Sequence, residues 1–127
     1  MTSPVWMNAV IAEFGRAAGI GDLALNERGA AALKFNTGVD FRLEYTGSEL
    51  VMSMSVAKHV DMDVLKRLLT FSHPMARHGF RVRTGCSPKT HRPTMAIRFA
   101  ERDVTLPAVN AAFAVLWRLA EEIGGAA

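Results

Sequence analysis

Apolar residues recur at steps of three and four near the start of the chain, where Met7, Val10, Ile11, Phe14 and Ala18 share one side of a helix drawn through residues 5–18. Asn8, Glu13 and Arg16 fall largely elsewhere, so the spacing predicts an amphipathic helix. Gly19 and Gly21 follow and supply the backbone freedom that lets a helix stop and the chain turn. From Leu23 to Val56 the period changes to two, broken by turn residues at 26–29, 36–38 and 47–48. Residues 31–35 form a short predicted strand. Phe41, Leu43 and Tyr45 then alternate with Arg42, Glu44 and Thr46, and beyond a Gly47-Ser48 turn Leu50, Met52, Met54 and Val56 alternate with Val51, Ser53 and Ser55. Two alternating runs joined by a short glycine turn make a hairpin, so this region is expected to be a three-stranded antiparallel meander.

Helical spacing returns over residues 61–72, with Met62, Leu65, Leu68 and Leu69 to one side and Lys66 and Arg67 beside them. Asp61 or Asp63 is placed to cap or complement the positive end of this helix. Pro74 disfavours a helical conformation at His73, and Gly79 offers a left-handed cap. A second strand pair follows. Phe80, Val82 and Thr84 alternate with Arg81 and Arg83, and beyond a polar loop containing Pro88 and Pro93, Met95, Ile97 and Phe99 alternate with Ala96 and Arg98. In the last segment Leu106, Val109, Phe113, Leu116 or Trp117, Ala120 and Ile123 recur three and four apart. Thr105 is the better N-cap, because Pro107 then lies among donors that have no helical partner, and Gly124-Gly125 ends the helix. The expected fold is α+β: helix, three strands, helix, two strands, helix, with a five-stranded, mostly antiparallel twisted sheet packed by helices in one domain spanning 1–127.

With 127 residues, half of them apolar and 21% charged, the chain has the balance of a folding domain rather than a disordered one. Its start lacks a basic side chain ahead of an unbroken apolar stretch, and no apolar run approaches the ~20 residues of a membrane span, so a cytoplasmic protein is expected. The single cysteine, Cys86, has no partner for an internal disulfide and stands in no activated-thiol motif. A net charge of +3 is a modest basic excess with no long run.

The segment Trp6-Met7-Asn8-Ala9-Val10-Ile11-Ala12-Glu13-Phe14-Gly15-Arg16-Ala17-Ala18-Gly19-Ile20 resembles the amphipathic first helix and glycine stop of SycN-type chaperones. The run from Val104-Thr105-Leu106-Pro107 through Leu116-Trp117-Arg118-Leu119-Ala120-Glu121-Glu122 is similar to the entry and leucine-rich final helix of the same group. With the element order, these segments resemble the class I type III secretion chaperones, the CesT-like family, whose virulence-associated members keep secreted proteins competent for export. The resemblance implies a protein without enzymatic activity or cofactor that dimerises, as a homodimer or as a heterodimer with a second small chaperone. The client it implies is a secreted effector or a YopN-like gatekeeper, bound near the client's N-terminal segment. It also assigns the dimer contact to the middle helix, making Met62, Leu65, Leu68, Leu69 and Phe71 the interface candidates. Chaperones of this family are often acidic, and a basic subunit would complement an acidic partner or client.

A holding function needs apolar surface beyond the core or strand edges that accept an extended peptide. Leu23, Leu25, Leu33, Phe35 and Val51 are the candidates for contact with the client, as apolar positions expected near the first helix. Met52, Met54, Met62, Met75 and Met95 carry adaptable thioethers that suit either a core or a shared interface. His59 with Asp61 and Asp63, or His73 with His78, match no strong metal spacing, and no metal site is expected. Gly19-Ile20-Gly21 is too short for a dinucleotide fingerprint, residues 85–89 lack phosphate-loop spacing, and no nucleophile motif appears, so no catalytic residue is expected. The rival reading is a nucleic-acid or polyanion binder. Arg42, Arg81, Arg83 and Arg98, with Lys89, His91 and Arg92 nearby, would line the polar side of the strands as a basic stripe.

Overall fold

The alternation of residues 39–56 builds the centre of the protein. The computed structural model, which describes residues 3–21, 23–72, 80–86 and 91–124, places α1 at Val5–Ala17, β1 at Ala30–Lys34, β2 at Val39–Tyr45 and β3 at Glu49–Val56. There follow α2 at Met62–Phe71, β4 at Arg83–Cys86, β5 at Pro93–Ala100, a short 3-10 turn at Glu101–Asp103, and α3 at Leu106–Gly124. The five strands form one open sheet in the order β1-β2-β3-β5-β4, and every pairing is antiparallel. The expected α+β architecture is therefore the observed one.

Register fixes what each face carries. Phe41 stands opposite Met54 and Leu43 opposite Met52, while Met52 faces Ile97 and Met54 faces Met95, so large apolar side chains form continuous rows on one side. All six of these residues are at most 2% exposed. α3 lies over β3 and β5, α1 packs beside it, and α2 covers β4, β5 and the flank of α3, so the three helices share this inner face. Phe14 of α1 meets Phe41 at 6.0 Å and Phe113 of α3 at 5.2 Å, joining helices and sheet in one aromatic cluster. The other face carries Arg42, Ser53, Ala96 and Arg98 and has no helix over it among the described residues.

Local chemistry accounts for the element ends. Asp61 Oδ1 accepts from the Val64 N–H at 2.9 Å, and Thr105 Oγ1 accepts from the Ala108 N–H at 3.2 Å, which caps α2 and α3. Gly47 turns the β2–β3 hairpin with φ of 102°, where a side chain would strain the backbone. Gly15 serves close approach instead: a Cβ there would lie 2.7 Å from the Leu23 Cβ and 2.9 Å from the Gly21 carbonyl oxygen. The Tyr45 hydroxyl, 3.0 Å from the Gly47 carbonyl and 3.2 Å from Glu101 Oε1, ties this hairpin to the 3-10 turn. Burial, reinforced by the Glu101 carboxylate, pushes its pKa upward.

The fourth strand departs from the expected position. Phe80 and Val82 precede β4 rather than belonging to it, because both are drawn toward the core: Val82 is buried and the Phe80 ring meets Phe99 edge-on at 6.1 Å. Pro93, placed in the loop by sequence, is the first residue of β5, a position where a missing N–H is tolerated. α3 retains Gly124 as its last residue. The expectations at His73, Pro74, Met75, His78, Gly79, Pro88, Lys89 and Gly125 lie outside the described residues.

Candidate functional site

α2 carries apolar side chains on two sides. Val64, Leu68 and Phe71 point into the core, whereas Met62, Leu65 and Leu69 are 66%, 44% and 62% exposed. The five interface candidates thus divide, with Leu68 and Phe71 under the helix and Met62, Leu65 and Leu69 on its outer side. Val64 is the core contact that the sequence reasoning missed; it follows from the same helical spacing once both sides are counted. Among the described residues the other exposed large apolar side chains are Val5 and Trp6, at the start of α1. Scattered exposed apolar residues are ordinary, but three on one side of a single ten-residue helix make a stripe.

The edge strand β1 is the second feature. Phe35 donates its N–H to the Val39 carbonyl at 2.8 Å and Tyr45 donates to the Gly29 carbonyl at 2.7 Å, which fixes the phase of the β1–β2 ladder. Alternation then turns the main chain of Ala31 and Leu33 toward β2 and that of Ala30, Ala32 and Lys34 outward. Asn26 closes the first outward position, donating to the Ala30 carbonyl at 2.8 Å and accepting the Ala30 N–H on Oδ1 at 3.1 Å. Ala32 and Lys34 keep their outward groups without a partner among the described residues. On the inner side of this edge, Phe35 meets Trp117 at 5.1 Å and Phe113 at 6.5 Å, a half-buried aromatic wall running from β1 to α3.

The client-contact candidates are distributed accordingly. Leu33 lies half-buried on β1 and Phe35 half-buried just past its end, both beside the open edge, and Leu25 is half-buried in the segment leading to it. Leu23 is a core residue wedged against Gly15. Val51 is not near the first helix: it stands on the opposite face of the sheet between Glu44 and Arg98, because its neighbours Leu50 and Met52 take the inner side. Met52, Met54 and Met95 are fully buried, so Met62 is the methionine left for an interface among those described.

Of the arginines of the rival reading, Arg42, Arg83 and Arg98 lie on the outer sheet face and Arg81 precedes β4. Arg98 pairs with Glu49 at 3.1 Å and Arg92 with Asp40 at 3.2 Å, while Phe41, Tyr45 and Phe99 point inward and offer no stacking platform there. Cys86 is exposed at the end of β4. No group of three or more metal-ligating side chains occurs among the described residues, and none of their helices is long and apolar enough to cross a membrane.

Comparison with known proteins agrees with this architecture. A family model described as the type III secretory system chaperone SycN matches residues 6–124. No curated protein sequence matches the chain. A chain of the ExsC–ExsE complex superposes with a TM-score of 0.77 at 23% identity, covering 96% of this chain and 93% of that one. A chain of the HopA1–SchA chaperone–effector complex gives 0.74 at 13% identity, covering 98% and 99%. A chain of the heterodimeric ExoU–SpcU complex from the type III secretion system of Pseudomonas aeruginosa gives 0.68 at 14% identity, covering 94% and 95%. At these identities the structural likeness is one of fold.

Proposed function

The chain belongs to the SycN family of type III secretory system chaperones, and from that premise we propose that it acts in the cytoplasm as one subunit of a chaperone dimer. It holds a secreted effector or a YopN-like gatekeeper near the client's N-terminal segment and keeps it export-competent. The observation that carries this reading is the exposed stripe of Met62, Leu65 and Leu69 on a helix whose other side is already anchored in the core.

Magnitudes say how much more is needed. Full burial of one such side chain contributes about 1.5–3 kcal/mol, so these three at their present exposure supply about 3–5 kcal/mol. Association opposes this by about 4–15 kcal/mol in lost freedom, so α2 needs neighbouring surface to form a stable pair. β4, which α2 packs against, is the second free edge of the sheet and extends the contact. The β1 edge, on the far side of the sheet, stays open for an extended client segment that pairs with Ala32 and Lys34 and lays apolar side chains beside Leu33 and Phe35.

Co-expression with neighbouring small open reading frames, followed by sizing and mass analysis, tests the reading. A co-purifying second subunit or a homodimer is expected, and a monomer that captures no secreted protein rejects it. Ala32→Pro separates the two surfaces: it removes an outward N–H that β2 does not use. Client affinity is expected to fall about tenfold, the loss of roughly 1.4 kcal/mol, with dimerisation unchanged.

A further inference from the structure

The outer face of the sheet holds an open hollow of about 430 Å³ that neither the α2 stripe nor the β1 edge involves; its wall on one side is β4, beside the edge to which the subunit contact extends. It is lined by small residues, Ser53 and Ala96 in the middle of β3 and β5 and Ser55 and Thr94 toward the end of β3 and the start of β5. Register places Arg42, Ser53, Ala96 and Arg83 in a single row across β2, β3, β5 and β4. Arg42 and Arg83 are therefore three strand spacings apart, about 14 Å between backbones, with nothing larger than serine between them.

Apart from Lys34, exposed on the edge strand opposite Asp40, the charges of this face sort into two kinds. Arg92 with Asp40, and Arg98 with Glu49, are neutralised in pairs at its rim. Arg42 and Arg83 have no ion pair among the described residues. Glu44, the remaining carboxylate of this face, sits beside Arg42 two residues along β2. Arg83 has no acidic neighbour on its strand and follows exposed Arg81, so it is the stronger positive pole.

We propose that this hollow is a docking site for an extended acidic segment of a protein partner, with Arg42 and Arg83 as its two anchors. Guanidinium groups present a planar fork that matches carboxylates. Acidic residues four apart in an extended chain lie about 13 Å from each other, which fits the separation of the two arginines. A nucleic acid fits less well, because the described residues of this face include no aromatic ring for bases to stack on. The net charge of +3 favours the encounter with any acidic partner, whereas the row of two arginines supplies the position.

The test uses the full chain, with whatever subunit co-purifies, and an eight-residue Gly/Ser peptide bearing two glutamates four positions apart. Amide NMR at low salt is expected to show shifts confined to this face, at Arg42, Ser53, Ser55, Arg83, Thr94 and Ala96. Arg42→Glu with Arg83→Glu is expected to weaken binding at least tenfold, with Arg83→Glu alone the more damaging single change. The same charge reversal at Arg28 and Arg118, both exposed and off this face, is expected to change it less than threefold. Absence of shifts on this face, equal loss in the control variant, or tighter binding of an eight-nucleotide oligothymidylate at the same amides each overturns the proposal. Because the readout is the amides of the outer face and the two arginines, the result does not depend on the α2 stripe or the β1 edge.

Discussion

α2 and α3 are both capped helices laid on the same side of one sheet, and they differ in what they leave outside. α3, with 19 residues, buries Val109, Leu116, Leu119 and Ile123 and keeps Leu106, Phe113, Val115 and Trp117 half-buried against the core. α2, with 10, buries three apolar side chains and exposes three more. At 3.6 residues per turn, Val64, Leu68 and Phe71 centre roughly 125° around the axis from Met62, Leu65 and Leu69. A count of apolar residues therefore does not measure a core. Their angular spread does, and in α2 it exceeds what one sheet can cover.

The largest effects belong to the side that both helices share. Leu116→Ala on α3 and Leu68→Ala on α2 each remove a side chain at most 3% exposed, and each is expected to lower unfolding free energy by about 2–5 kcal/mol. Denaturant titration checks this. If Leu68→Ala costs only about 0.5 kcal/mol, as surface substitutions do, α2 is not anchored as its burial indicates and the comparison collapses.

The outer side of α2 comes next. Leu65→Glu with Leu69→Glu is expected to weaken subunit association at least a hundredfold, about 2.7 kcal/mol, while the stability of the isolated subunit moves by only about 0.5 kcal/mol. Sedimentation and denaturation on the same samples separate the two quantities. Loss of folding in place of loss of association would assign these residues to the fold and remove the reason for a partner at this helix.

The same contrast explains what the sequence could reveal. α3 was legible because its apolar residues form one stripe and Thr105 and Pro107 mark its start. The β2–β3 hairpin was legible because Gly47 and strict alternation leave one register that buries a whole face. β4 was displaced because the alternation of Phe80, Val82 and Thr84 imitates a strand, although Phe80 and Val82 are held by Phe99 and the core before pairing begins. The insertion of β5 between β3 and β4 depends on contacts distant along the chain, which local spacing does not carry. On α2, omitting Val64 merged the inner and outer apolar sets into one. The open positions of β1 were hidden for a different reason: which main-chain groups face outward follows from ladder phase and from the Asn26 plug, and neither leaves a mark on side-chain pattern.

The smallest effects lie at the caps, and they distinguish the two helices most finely. Asp61 and Thr105 each accept one N–H of the first turn, at 2.9 and 3.2 Å, so Asp61→Ala and Thr105→Ala are each expected to lower stability by about 1 kcal/mol. Asp61 also sets a carboxylate at the positive end of α2, and Asp61→Asn, which keeps the acceptor and removes the charge, should lose only about 0.3–1 kcal/mol. Association is where the two caps part. Met62 is the first residue of α2, directly after its cap, so fraying that turn disorders one end of the exposed stripe; Asp61→Ala is expected to weaken association about threefold, roughly 0.6 kcal/mol. Thr105 caps a helix that is covered within its own chain, and Thr105→Ala should leave association untouched. Equal weakening by both substitutions would mean that the subunits meet through the fold as a whole rather than through α2.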